Sequence, residues 1–155
     1  MVELVPTLLR QELARLAEDD LRLDGRGRWE GREVSLETDC LYNAEGSAKV
    51  VMGGTIVYAG VKFELRTPWP DRPAQGSLMC GAELRPVAHR KYEPGPPSPQ
   101  SIELGRVVDR GIRESGCIDM ESLCIVPGEK VWGVMIDIHV LSDGGNIFDA
   151  CGLAA

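Results

Sequence analysis

Residues 98–116 read SPQSIELGRVVDRGIRESG and contain the clearest element of the chain. Ser98 suits the N-cap of a helix, and Pro99 suits its first position, where the N–H that proline lacks has no partner in any case. Gly116 can adopt the left-handed conformation with which many helices end. The stretch therefore predicts a helix over residues 99–115.

This predicted helix has two different faces. At about 100° per residue, one face carries the apolar side chains Leu104, Val107, Val108 and Ile112. The opposite face carries Arg106, Arg110 and Arg113 at spacings of four and three residues. Such a row of guanidinium groups suits a sugar-phosphate backbone, because each group can bind a phosphate through two N–H donors. The alternative is a solvated face that pairs with its own acids, since Glu103–Arg106, Asp109–Arg113 and Arg110–Glu114 all have salt-bridge spacing.

Strand patterns lie on both sides of this helix. Alternation of apolar and polar residues, or turn residues at both ends, predict strands over residues 33–42, 48–52, 55–66, 78–87, 122–126 and 131–141. The first is predicted to be half-buried, and Trp132 of the last is predicted to face the same way as Val134. Gly53-Gly54 indicates a turn or a bulge, and residues 127–130 indicate a hairpin turn.

Two further helices complete the prediction, one over residues 6–17 and one from Asn146 onward. The order is then helix, meander, helix, hairpin, helix. It is typical of an α+β fold in which helices pack on a mainly antiparallel sheet. A length of 155 residues predicts one domain over residues 1–155.

Composition limits the possible functions. The net charge of −7 means that RNA contact requires a local basic patch or a partner that supplies positive charge. Five scattered cysteines argue against a disulfide framework and a zinc ribbon, and favour reduced side chains in the core. No apolar run reaches membrane-spanning length, and the acidic N-terminus is unlike a signal peptide. We expect a cytoplasmic protein that needs neither a metal nor a cofactor.

Three acidic positions are weak candidates for chemistry. Asp137, Asp143 and Asp149 have irregular spacing with no histidine or cysteine at ligand spacing, so they do not predict a metal site. Asp137 and His139 share a strand face, but no nucleophile accompanies them, which favours an ordinary polar pair. Paired glycines before a helix can offer amides to phosphate. Here Asp149 falls in the first turn, where its charge repels a bound phosphate.

Seven stretches, in the same order along the chain, resemble the ribonuclease PH family and specifically the ring subunits of the archaeal exosome. They are LDGR (23–26), AEGSA (44–48), GVK (60–62), EPGPP (93–97), VVDRGIRES (107–115), KVW (130–132) with ID (137–138), and DGGNIFDA (143–150). The resemblance implies a ribonuclease PH-like α+β fold. It also implies that this is the N-terminal portion of a longer protein, since family members continue beyond residue 155.

The resemblance also implies a role. Active members carry a G-T-R-T-type stretch that holds inorganic phosphate, whereas residues 146–149 here read NIFD and resemble the silent ring subunit. The catalytic aspartate of active members lies beyond position 155. The expected function is a non-catalytic subunit that pairs with its catalytic paralogue in a hexameric ring of three heterodimers, capped by RNA-binding proteins. Arg106, Arg110 and Arg113 are then candidates for contact with single-stranded RNA.

Two other functions remain open at this point. One is an active phosphorolytic 3′→5′ exoribonuclease or nucleotidyltransferase, which the absence of an arginine after Gly145 disfavours. The other is an interaction domain without RNA contact, which the acidic composition permits.

Overall fold

The computed structural model describes residues 7–155, which fall into two units, one ending at Glu33 and one spanning Val34–Ala155. In the first unit, helix α1 (Thr7–Glu18) precedes an isolated bridge between Leu21 and Gly27. The helix expected over residues 6–17 is confirmed, although Pro6 lies outside the described residues. The expectation of one domain over the whole chain stays a prediction.

The second unit is built on one sheet. Its strands are β1 (Val34–Thr38), β2 (Gly46–Met52), β3 (Thr55–Arg66), β4 (Ser77–Leu84), β5 (Cys124–Val126) and β6 (Lys130–Ser142). The order across the sheet is β1-β2-β3-β6-β4, and β5 pairs with the start of β6. Every pairing is antiparallel except that of β4 with β6. The predicted mainly antiparallel α+β fold is confirmed.

The meander is shorter than predicted, because β6 lies between β3 and β4. A parallel pair needs a long crossover connection, and the segment between β4 and β6 supplies one that contains α2 (Pro99–Ser115). This connection places α2 directly against β4. Within the meander, Gly53-Gly54 forms the turn between β2 and β3, with Gly53 at φ 57°.

Helices α2 and α3 (Ile147–Ala154) contribute to the core that covers one face of this sheet. Fully buried residues of that core include Leu104 of α2, Cys151 of α3, Val50, Val57 and Ile138. Helix α2 approaches β4 closely at Gly105, where an added Cβ would lie 3.2 Å from the carbonyl oxygen of Cys80. Glycine is therefore required by packing at a position where the helix pattern alone does not call for it.

Four details differ from the sequence-based expectations. Strand β1 covers only residues 34–38 and is exposed throughout, because it lies at the edge of the sheet. Strand β4 ends at Leu84, and β5 begins at Cys124. Trp132, near the start of β6, shares the face of Val134 as predicted but is partly exposed, and it meets Phe63 edge to face with ring centroids 6.1 Å apart. Val107 was expected on the packed face of α2 but is 49% exposed.

The five cysteines are all free. Cys151 is buried and Cys80 packs against the core, as expected, and burial raises the pKa of Cys151 to about 12. Cys117 is exposed, so the expectation of a core position is wrong there. Within residues 7–155, no helix has the length and apolar character needed to cross a membrane.

Candidate nucleic-acid interface

The ends of α2 have the caps that its sequence predicts. The Oγ of Ser98 accepts a hydrogen bond from the Ser101 amide at 3.2 Å, and Pro99 occupies the first turn. Gly116 adopts the left-handed conformation at φ 65°. These caps, together with the close approach at Gly105, set the position of α2 along β4 and so place its arginines.

An open groove of about 960 Å³ runs between α2 and β4. Its lining includes Leu78, Met79 and Cys80 from the strand and Arg106, Arg110 and Arg113 from the helix. The structure therefore brings all three predicted arginines to one groove. Contact of these residues with RNA stays a prediction.

Arg113 differs from the other two arginines because the fold already uses it. Its Nε donates to Asp109 at 3.1 Å, and its NH2 group lies 2.9 Å from the other carboxylate oxygen. The same NH2 group donates to the backbone carbonyl of Leu78 at 3.0 Å. Arg113 thus joins α2 to β4, and the predicted Asp109–Arg113 ion pair is confirmed.

Arg106 and Arg110 are exposed and have no hydrogen-bond or ion-pair partner within the described residues. The pairs expected with Glu103 and Glu114 are not formed there, although both acids line the groove. The interpretation as a self-paired face therefore holds for Arg113 only. Because Glu103, Asp109 and Glu114 balance the three arginines in charge, a polyanion in this groove would depend on local contacts with the two unpaired guanidinium groups.

Apolar surface accompanies these cations. Ile102 and Val107 of α2 and Met79 of β4 line the groove and are substantially exposed. Bases of a single strand can contact such surface while phosphates bind arginines, a combination that is tolerant of sequence.

The loop before α3 is closed by its own contacts. An added Cβ at Gly144 would lie 2.7 Å from the backbone of Gly54, so the two segments meet backbone to backbone. Asn146 takes a left-handed conformation at φ 56°, and its Nδ2 donates to Asp149 at 2.8 Å. The carboxylate of Asp149 lies in the first turn of α3, as the sequence predicts. An anion at this helix end would meet that carboxylate at close range.

Asp143 anchors the same loop from within. Its carboxylate accepts hydrogen bonds from the Tyr92 hydroxyl at 2.7 Å and the Gly145 amide at 3.0 Å, and the Nζ of Lys91 lies 2.8 Å away. Burial by itself would raise the pKa of Asp143, but the bonds from Lys91, Tyr92 and Gly145 outweigh burial and lower it. Asp143 is therefore a structural carboxylate rather than a candidate acid.

The remaining acidic candidates do not converge. The carboxylate of Asp137 has no hydrogen-bond partner within residues 7–155, and its Oδ1 lies over Gly81, where an added Cβ would be 3.2 Å away. The Nδ1 of His139 lies 3.7 Å from Glu83. No group of three or more potential ligands suited to a metal ion occurs among the described residues.

Sequence reasoning missed three features of this region, namely the glycine contact at Gly105, the bond from Arg113 to Leu78, and the partners of Asp143. The first two require knowledge that β4 is the strand under α2. The third joins residues about fifty positions apart along the chain. No local pattern carries that information, although a glycine within a strong helix pattern is a weak signal of close packing.

Known proteins are similar to this chain in sequence and in fold. The Rrp42 exosome complex component of Methanosarcina mazei is 50% identical over 155 residues, which is 100% of this chain and 58% of that protein. The Rrp42 component of Archaeoglobus fulgidus is 52% identical over 137 residues, covering 88% of this chain and 53% of that protein. The chain thus spans a little over half the length of these relatives.

Solved structures show the same similarity. A structure described as the Archaeoglobus fulgidus exosome with RNA bound to the active site superposes with a TM-score of 0.91 at 49% identity, covering 96% of this chain and 58% of that one. A structure described as an archaeal exosome core gives a TM-score of 0.83 at 45% identity, covering 96% of this chain and 56% of that one. The sequence profile of the 3′ exoribonuclease family, domain 1, matches residues 30–155. With its sheet, its helices and these relatives all in agreement, the chain belongs to the ribonuclease PH family of 3′ exoribonucleases.

Proposed function

We propose that this chain is a non-catalytic ring subunit of an archaeal exosome. It pairs with a catalytic paralogue in an alternating hexameric ring and positions single-stranded RNA for phosphorolytic 3′→5′ degradation. RNA-binding cap proteins complete the assembly. The relatives named as exosome components support membership, and the described chain covers only part of their length.

One observation carries the proposal: two unpaired arginines line an open groove, whereas the helix end expected to hold phosphate bears an acid. Arg106 and Arg110 keep their N–H donors available, so each can bind a phosphate oxygen pair. Asp149, held by Asn146, adds negative charge to the helix end at which the family resemblance leads us to expect phosphate in active members. RNA contact without phosphate activation is the function of a positioning subunit.

The first test is an activity assay. We expect no release of nucleoside diphosphates when this chain alone receives polyadenylate RNA and inorganic phosphate. Addition of the catalytic paralogue from the same organism should restore release. Release by this chain alone, free of the paralogue, would show that it is an active phosphorolytic enzyme.

The second test addresses the groove. Arg106→Glu with Arg110→Glu should weaken RNA binding by the mixed complex at least about tenfold, since a hydrogen bond to a charged group contributes about 1.5–3 kcal/mol. Arg90→Glu is the control for a charge reversal outside the groove, because Arg90 is exposed and does not line the groove. Unchanged affinity in the double variant would favour an interaction domain that does not contact RNA.

A further inference from the structure

A braced loop joins β3 to β4 and presents an exposed tryptophan. We propose that this β3–β4 loop (residues 67–76) is a second contact for single-stranded RNA. In it the indole of Trp69 stacks on a base, and Arg66 and Arg72 bind the adjacent phosphates. The inference rests on the proposed function and names a further contact on the same RNA.

The loop is held rigidly, so its side chains are presented in advance of binding. Its backbone hydrogen bonds are Arg72 N to Trp69 O at 2.9 Å, Gln75 N to Arg72 O at 3.2 Å, Gly128 N to Pro73 O at 2.8 Å and Gly76 N to Met120 O at 2.7 Å. An added Cβ at Gly76 would lie 2.6 Å from that of Leu123, so the end of the loop is packed against its neighbour. Preorganisation of this kind lowers the entropy cost of binding.

The ring of Trp69 lies largely in water. Its side chain is 66% exposed, whereas the preceding Pro68 is buried and anchors the segment. An indole that remains in water on a rigid loop is a ready stacking surface, because every base has a π-face on which it can stack. The loop thus supplies a contact that tolerates any RNA sequence.

Arg66 precedes Trp69 along the chain and Arg72 follows it, and both have donors available. Arg66 at the end of β3 directs its NH1 group to the thioether of Met79 at 2.7 Å, and its Nε lies 3.6 Å from Glu64. A thioether is a weak acceptor, so this guanidinium is poorly neutralised. Arg72 is exposed, and its Nε lies 3.9 Å from Asp71, a distance at which an exposed pair contributes little.

Met79 connects the loop with the groove. Its side chain lines the groove that holds Arg106 and Arg110, and it also contacts Arg66. Met79 therefore joins the groove to Arg66, which lies at the beginning of the loop. We expect an RNA strand bound along α2 to continue past Arg66 toward Trp69.

Weakly paired arginines favour RNA over a protein as the occupant. Glu64 and Asp71 balance Arg66 and Arg72 in charge, but the nitrogen–oxygen distances of 3.6 Å and 3.9 Å leave guanidinium donors available for phosphate. An aromatic ring between arginines is the usual composition of a sequence-tolerant single-strand contact. A protein partner docked on Trp69 is the alternative that the experiment must distinguish.

The test uses the complex with the catalytic paralogue and two oligoadenylates, one of about four and one of about twelve nucleotides. Trp69→Ala should weaken binding of the longer oligomer about tenfold and leave the shorter one, which fills only the groove, unchanged. Trp69→Phe should retain most of the affinity, because a stacking ring remains. Tyr42→Ala is the control, since Tyr42 is a fully exposed aromatic residue of another loop.

Salt dependence provides a second measurement that a purely structural role would not change. Arg72→Gln should reduce the slope of log affinity against log salt by about 0.7, the value for one phosphate contact on a single strand. Arg90→Gln should leave the slope unchanged.

Three outcomes separate the two proposals. If Trp69→Ala leaves the long oligomer's affinity intact while Arg106→Glu with Arg110→Glu removes it, the loop contact is overturned and the groove stands. If Trp69→Ala dissociates the complex, as measured by sedimentation, without changing RNA affinity, the loop is a protein contact and the proposal is overturned. If Trp69→Ala weakens binding and the groove variant does not, the loop contact stands and the groove assignment fails.

Discussion

At the scale of single residues, Asp143 shows how a polar side chain can be essential to a site without taking part in chemistry. Its carboxylate joins the segment around Lys91 and Tyr92 to the loop before α3. The donors lower its pKa, which means that the folded state prefers the charged form. Folding stability must therefore depend on pH through this group.

Asp143→Asn should lower the free energy of unfolding by roughly 2–3 kcal/mol at neutral pH, since charged hydrogen bonds are lost. A folded-state pKa below the ordinary value means that the contribution is fully present above the unfolded pKa near 3.8 and is lost as pH falls through the folded value. Urea unfolding of both proteins at pH 7, 5 and 3 measures this contribution to the free energy of unfolding.

The difference between wild type and Asp143→Asn should shrink between pH 5 and pH 3. Asp71→Asn is the control, because Asp71 is exposed and weakly paired. A difference of the same size at every pH would mean that charge on Asp143 does not stabilise the fold.

At the scale of elements, α2 was predictable at its ends but not in its packing. Its caps at Ser98 and Gly116 are local interactions, so the residue types at these two positions predict them. Its contact with β4 at Gly105 depends on which strand lies beneath it. Val107 is exposed for a similar reason. It fits the helical period of the apolar face, but it lies beyond the area that the sheet covers.

Two glycines of α2 provide a matched pair. Gly105→Ala should destabilise the protein by about 1–3 kcal/mol, because its Cβ would press on the Cys80 carbonyl and the Ala82 amide. Gly111→Ala should stabilise it by about 0.5–1 kcal/mol, because no atom lies within 4 Å of the added Cβ and alanine favours helix. Thermal or urea unfolding of both variants measures the difference. Equal effects at the two positions would contradict the close approach of α2 to β4.

At the scale of the Val34–Ala155 unit, the helices cover only part of their face of the sheet. Phe63, Leu65 and Trp132 lie on that face beyond the helical cover, and Leu65 is 55% exposed. Clustered apolar surface of this kind promotes association.

We expect the chain to self-associate at high concentration, with Leu65→Lys reducing the association without unfolding the protein. Sedimentation over a range of concentrations measures it, and Val87→Lys, which changes an isolated exposed residue, is the control. Association that persists unchanged in Leu65→Lys would place the contact elsewhere.

The sequence by itself determined the fold class, the helix of residues 99–115 with its caps, the arginine row and the acid at the start of α3. These features depend on periodicity and on neighbours within one or two turns. Only the tertiary structure decided that β4 runs parallel to β6 under α2. That arrangement fixes Arg113 to Leu78 and leaves Arg106 and Arg110 with open donors. The reason is physical: helical spacing places side chains on a common face, but whether each one is satisfied depends on which strand lies beneath the helix, and that strand is remote in the sequence.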